Sequence, residues 1–213
     1  MAGDAGEPLR VGVLASGTGT NLQALLDTVH QHEALIVAVG ADRPSAQALE
    51  RARSAGIDTA VFELADHPDR DARDAAIAEW LLEHGVELVV LAGYMALLTS
   101  PFLRRFPGAV LNVHPSLLPA FPGVRAIEQA IDYGVKVFGV TVHFVDDDGG
   151  VDTGPVILQR ALELADADDA GAVHERLRPI EHALLPEAVR LVARGALSRD
   201  PANPRRILVA QQD

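Results

Sequence analysis

The feature that most narrows the fold is a repeated unit: a short unbroken apolar run, a turn, then a segment with apolar residues at helical spacing. Leu88-Val89-Val90-Leu91 is apolar at every position. An alternating run would mean a strand with one wet face. An unbroken one suits a parallel sheet covered on both faces. Leu9 to Leu14 is an earlier copy, followed by the turn Ser16-Gly17-Thr18-Gly19-Thr20 and then by Leu22, Leu25, Leu26 and Val29 at helical spacing. Leu35 to Val39 and Thr59 to Phe62 read as two more strands. Pro44-Ser45 opens a helix ending at Gly56, and Asp69 caps one running to His84, with Gly85 as its stop. The expectation is an α/β chain with a doubly wound, mostly parallel sheet and helices on both faces.

The second half reads differently. Pro101 starts a short helix, and Val110 to His114 is a strand closed by Pro115. A proline-rich loop carries Pro115, Pro119 and Pro122, and Val124 to Tyr133 reads as a helix stopped by Gly134. Val137 to Val145 and Pro155 to Ala161 read as strands joined by the acidic loop Asp146 to Asp152. A helix is expected over about Ala170 to Arg194, bent near Pro179 and Pro186, with an edge strand at Ile207 to Val209. No repeat and no long linker divides the chain. One domain over residues 9–213 is expected after a disordered tail, 1–8.

Composition excludes several classes. With 18 Lys and Arg against 30 Asp and Glu, the formal charge is −12. That argues against gripping a nucleic-acid backbone, and it disfavours anionic ligands. The chain has no cysteine, which excludes disulfides, thiolate nucleophiles and cysteine-held metals. The longest nearly apolar run, Leu88 to Leu98, falls short of the roughly 20 residues of a membrane helix. No secretory leader is visible at the N-terminus. A cytoplasmic protein acting away from membranes is expected.

Three segments could carry chemistry. Ser16-Gly17-Thr18-Gly19-Thr20-Asn21 lies between a strand and a helix, where backbone N–H groups suit a phosphate. It is not a dinucleotide fingerprint, because Leu22 holds the third glycine position, and it lacks the Gly-Lys-Ser/Thr of a Walker loop. A tight turn with a Thr or Asn cap fits the same residues. In the second segment, Asn112 and His114 share one face near the carboxyl end of their strand. A carboxamide and an imidazole there could stabilise an oxyanion and move a proton. A capping Asn and a hydrogen-bonded His fit as well. In the third, a carboxylate at Asp152 beside His114 would favour the imidazolium form. A solvated acidic hairpin is the alternative. His143 reads as a satisfied core or edge histidine, and His30, His32, His67, His84 and His174 lack metal-ligand spacing.

Together and in this order, these pieces resemble the folate-dependent formyltransferases, from Val11 to about Pro186. The carrying motifs are Ala15-Ser16-Gly17-Thr18-Gly19-Thr20-Asn21-Leu22-Gln23, Val90-Leu91-Ala92-Gly93-Tyr94-Met95 and Asn112-Val113-His114-Pro115-Ser116-Leu117-Leu118-Pro119. Phe121-Pro122-Gly123, Asp152-Thr153-Gly154-Pro155-Val156-Ile157 and Glu181-His182 complete the set. The first loop resembles the branch that acts on glycinamide ribonucleotide in purine synthesis. The resemblance implies formyl transfer from 10-formyltetrahydrofolate, as co-substrate, to the amine of that ribonucleotide, with no metal. It implies a catalytic trio of Asn112, His114 and Asp152. It implies that Gly19, Thr20 and Asn21 hold the phosphate and that Glu181 contacts the same substrate. Folate would meet Arg70, Met95, Ala96, Leu97, Leu98 and Asn112, with Asp148 in the wall formed by the acidic loop. Small-molecule partners follow, and a homodimer stays open.

The chain departs from that family in places. Ala96 stands where Arg is usual, which removes a cation from the folate region. Arg125 and Ile127 stand where histidines are common, and Arg125 is expected to offset the loss. Gly149-Gly150 lengthens the loop before Asp152. The rivals are a formyltetrahydrofolate hydrolase, which usually has an N-terminal regulatory domain, a formyltransferase for another amine, and an idle binding module. The acidic chain, ending at Asp213, argues against a tRNA-directed enzyme.

Overall fold

The computed structural model describes residues 7–147 and 150–210. Its strands are β1 (Leu9–Ala15), β2 (Ala34–Ala41), β3 (Asp58–Val61), β4 (Leu88–Leu91), β5 (Val110–His114), β6 (Val137–Phe144), β7 (Val156–Glu163), β8 (Leu197–Asp200) and β9 (Asn203–Val209). They form one sheet in the order β3-β2-β1-β4-β5-β6-β7-β9-β8. The first five are parallel, β6 and β7 are each antiparallel to their predecessor, and β9 is parallel to β7. The helices are α1 (Thr20–Thr28), α2 (Ala48–Ser54), α3 (Arg70–Glu83), α4 (Ser100–Leu103), α5 (Ala126–Tyr133) and α6 (Ala170–Ala193).

The unbroken apolar run in β4 has the expected cause. Leu88 and Val90 face a core built with Leu22 and Leu25 of α1 and Leu177, Leu184 and Leu185 of α6. Val89 and Leu91 face the opposite core, with Ile77 and Leu81 of α3 and Phe102 of α4. Alternate side chains point to opposite faces, so a strand between two helical layers must be apolar throughout.

Several boundaries move. The second helix starts at Ala48, not at Pro44. Residues 43–46 close a turn instead, with Ala46 N donating to Arg43 O at 3.3 Å. The fifth helix starts at Ala126, not Val124, because Arg125 adopts φ 60°, outside the helical region. The expected edge strand is one arm of a hairpin, β8–β9, packed beyond β7. The other arm, Leu197-Ser198-Arg199-Asp200, has one apolar residue and gave no strand pattern. α6 runs unbroken through Pro179 and Pro186.

Strand order reverses at β1, which lies between β2 and β4. The chain leaves β1 and β4 toward opposite sides and opens a crevice at their carboxyl ends, where α/β sheets bind ligands. The two loops are tied across it. Ser16 N donates to Gly93 O at 3.1 Å, and Met95 N donates to Ser16 Oγ at 2.8 Å.

Candidate active site

The centre of the site is the carboxylate of Asp152, on the loop between β6 and β7. Its Oδ2 accepts from Gly123 N at 2.7 Å and lies 3.3 Å from His114 Nδ1. Its Oδ1 accepts from Asn112 Nδ2 at 3.3 Å and lies 3.5 Å from His143 Nε2. Asp152 itself sits at φ 56°, a left-handed conformation that Asp tolerates better than most residues. Burial pushes its carboxyl up, but the hydrogen bond with His143, the charge of His114 and the Gly123 N–H outweigh that. The group is held below the usual carboxylate value.

Each histidine is oriented by a carbonyl. His114 Nε2 lies 2.9 Å from Phe121 O, and His143 Nδ1 lies 2.8 Å from Phe144 O. A carbonyl only accepts, so both of these nitrogens donate. His114 then turns its other nitrogen, Nδ1, toward a carboxylate, and a proton there makes the ring an imidazolium. His143 turns Nε2 toward both Asp152 and Asn112 Nδ2, the latter at 3.2 Å. With a proton on it, that nitrogen donates to Asp152; without one, it accepts from the Asn112 amide instead. Four polar side chains thus form one network, with the His114 and His143 rings buried.

The loop after β1 builds a second part. Gly19 caps α1 at φ 72° with no side-chain cap, and the first helical hydrogen bond is Gln23 N to Gly19 O at 2.9 Å. The N–H groups of residues 20–22 therefore have no helical acceptor, which is the arrangement an anion fills. A Cβ on Gly19 would come within 2.6 Å of Ala48 Cα, so no other residue fits there. Arg51 reaches over from α2, donating from Nε to Thr18 O at 2.8 Å and from Nη1 to Gln23 Oε1 at 3.0 Å. Sequence reading missed this cation beside the loop, because only the packing of α2 on α1 brings it there.

Asn21 turns inward instead of toward the open N–H groups. Its Nδ2 donates to Glu181 Oε2 at 3.0 Å, and its Oδ1 is buried without a partner among the described residues. His174, two turns before Glu181 on α6, places Nε2 3.6 Å from Glu181 Oε1. Burial raises the Glu181 carboxyl, and the bonds to His174 and Asn21 outweigh it and hold the group low. The third part is the loop after β4. Arg70 Nη2 donates to Leu97 O at 2.7 Å, and Met95 and Leu97 are 63% and 50% exposed. A guanidinium beside unpartnered apolar side chains suits a flat ring system with an anionic tail.

Residues 9–189 match the family described as "Formyl transferase". The chain belongs to the formyl transferase family. It is 48% identical over 187 residues to the phosphoribosylglycinamide formyltransferase of Mycobacterium tuberculosis, covering 87% of this chain and 86% of that protein. The solved structure of glycinamide ribonucleotide transformylase 1 from Symbiobacterium toebii superposes with a TM-score of 0.91 at 48% identity, covering 97% of this chain and 96% of that one. A formyltetrahydrofolate deformylase from Pseudomonas syringae superposes at 0.86 with 25% identity, covering 98% of this chain and 68% of that one.

In this formyl transferase, the expected trio of Asn112, His114 and Asp152 comes together. Asn21 is joined to Glu181, and Arg70 to the 95–98 loop. Asp148 lies outside the described residues. Arg125 is exposed, with Nε 3.8 Å from Glu128 Oε1, and among the described residues no hydrogen bond or ion pair links it to the 95–98 loop. His143 is the correction. It is buried, as expected of a core histidine, but it belongs to the site. Its signal was the pairing Asn112↔His143 across antiparallel β5 and β6. Strand partners are set by tertiary packing, so the sequence could not display that pairing. Among the described residues, no three His, Asp or Glu side chains cluster to hold a metal.

Proposed function

We propose that this formyl transferase moves the formyl group of 10-formyltetrahydrofolate to the amine of 5-phosphoribosylglycinamide, a step of purine synthesis. The observation that carries the mechanism is the Asp152 carboxylate, held by His114, Asn112, His143 and the Gly123 N–H in one buried network. The acceptor is favoured by the open N–H groups after Gly19 and by the 48% identity to phosphoribosylglycinamide formyltransferase over nearly the full length of both chains.

The residues divide the work. Residues 19–21 seat the phosphate on backbone N–H groups, and Glu181 faces the same ligand. Arg70, Met95, Leu97 and Leu98 form the folate wall, where Arg70 supplies the charge that Ala96 does not. The bound folate supplies the formyl carbon. A bond forms from the amine nitrogen to that carbon, and its bond to the folate nitrogen breaks. Asn112 and the His114 imidazolium donate to the oxygen on which negative charge develops. For this, His114 Nε2–H exchanges the Phe121 carbonyl for the substrate oxygen. The amine gives up one proton and the folate nitrogen takes one, so His114 and Asp152 only relay it. Direct transfer needs neither a metal nor an enzyme nucleophile. The same reading makes the chain a cytoplasmic enzyme whose partners are small molecules.

The test is transfer from 10-formyltetrahydrofolate with and without glycinamide ribonucleotide. Formyl release that requires the amine supports the reading. Equal deformylation without it overturns the reading in favour of a hydrolase. Asp152→Asn tolerates the same φ, so it should fold while kcat falls about 10²- to 10⁴-fold. Near-normal kcat would remove Asp152 from the mechanism.

A further inference from the structure

The loop that carries Asp152 is fastened at both ends to the C-terminal hairpin, which lies beyond residues 9–189, the part matched by the family. At the entry to the loop, Arg199 Nη2 of β8 donates to both Asp146 oxygens at 2.9 Å each. At its exit, Arg205 Nη2 of β9 donates at 2.8 Å to the carbonyl of Thr153, the residue after Asp152. Among the described residues, one ladder pair, Val156↔Arg206, joins the hairpin to β7. Leu197 and Ile207 pack against the main core and fix where the arginines start from.

We propose that Arg199 and Arg205 are positioning residues that hold Asp152 at the donors of the active site. The inference rests on the reading of Asp152 as part of the proton relay. The loop has reason to need such a brace. Asp152 has a positive φ, and Gly154 packs so closely on the Phe144 carbonyl that a Cβ there would collide with it. The other side-chain ties on the loop's flanks, among the described residues, are exposed: Thr153 Oγ1 donates to Gly150 O at 3.0 Å, and Arg104 Nη1 donates to Asp147 Oδ2 at 3.3 Å. A main-chain carbonyl next to the catalytic residue, drawn toward a fixed guanidinium, sets the peptide plane on which Asp152 turns. Asp146 fixes the other end of the same loop. Both ties, one an ion pair and one a hydrogen bond to a carbonyl, are exposed or half-exposed, and exposed contacts of this kind add little to global stability. Their effect therefore falls on geometry rather than on folding. A misplacement of about 1 Å can cost catalysis on the order of 10²-fold.

The experiment compares Arg199→Ala, Arg205→Ala, the double variant and Arg205→Lys with the wild type. The control is Arg206→Ala, whose side chain, among the described residues, pairs within the hairpin, with Nη1 3.5 Å from Asp200 Oδ2. Wild-type transfer is measured first, with and without the amine. If the wild type deformylates folate instead, the proposed function fails. The variants are then read on that reaction, which also needs Asp152 in place. The expected result is a kcat lower by about tenfold in each single Ala variant and by more in the double variant. KM for both substrates should stay within about twofold and the melting temperature within about 2 °C. Arg205→Lys, which can still reach the carbonyl, should recover most of the rate. The acid limb of the kcat–pH profile should move upward as Asp152 loses its donors. Arg206→Ala should leave all of these unchanged. Unchanged kcat and acid limb in the folded double variant overturn the proposal. So does a parallel loss of rate and melting temperature across all variants, Arg206→Ala included, because the hairpin would then act only as a structural prop.

Discussion

Asp152 has two oxygens and four polar neighbours, and this count decides how it responds to pH. A carboxyl held below its ordinary value, about 4, contributes stability that is full above that value. The contribution is lost as pH falls through the lower folded value. Wild type should therefore lose its melting-temperature lead over Asp152→Asn in that acid window and keep it above pH 5. The reverse trend would show the carboxylate unpaired. His174 has the opposite sign. Its hydrogen bond to Glu181 outweighs burial, and with Glu175 helping and Arg178 opposing, its value is raised. Its contribution is full below about pH 6.5 and is lost as pH rises through the folded value. The melting-temperature gap between wild type and His174→Gln should be widest near pH 6 and close by pH 9. A gap that widens with pH would refute the pairing. His143→Ala removes the ring nitrogen that faces both Asp152 Oδ1 and the Asn112 amide, so kcat should fall about tenfold with KM little changed. A wild-type kcat would leave His143 as ordinary core. Asn112, His114 and Asp152 were legible because short motifs carry them. His143 and His174 were not, because one depends on strand pairing and the other on an i, i+7 relation to a residue whose own role was known only by resemblance.

At the scale of elements, the parallel half was legible and the edge was not. β4 announces itself because both of its faces are buried, which forces apolar residues at every position, and β1 and β5 are apolar except at Arg10 and at the site residues Asn112 and His114. The hairpin β8–β9 has solvent on one side and few apolar residues, so periodicity had little to report. Start points shifted where a backbone detail decides, as at Arg125. The turn into α1 depends most on a single residue. Gly19→Ala must take a left-handed φ and also collide with Ala48. It should cost more than the roughly 1–2 kcal/mol of the left-handed φ alone and raise KM for the phosphorylated substrate at least about tenfold. KM for the folate should change little. An equal rise in both would mean the loop supports the whole crevice rather than one ligand.

The whole molecule carries a charge of −12, and both proposed substrates are anions. The phosphate can sit on backbone N–H groups, which add no formal charge, with Arg51 behind the loop. The long-range field still opposes approach. Added salt screens it, so kcat/KM should rise several-fold as ionic strength goes from about 0.01 to 0.15 M. A fall over that range would show that local cations govern encounter. The sheet adds a different consequence, concerned with making the enzyme rather than using it. β6 is buried along nearly its whole length. A copy paired with β5 one residue out of register would still cover apolar surface, yet it would turn His143 to the other face. Such a copy would keep its helices and most of its core. Circular dichroism would score it as recovered protein, whereas active-site titration would not. After refolding from denaturant, the ratio of those two measurements reports how faithfully one strand found its partner.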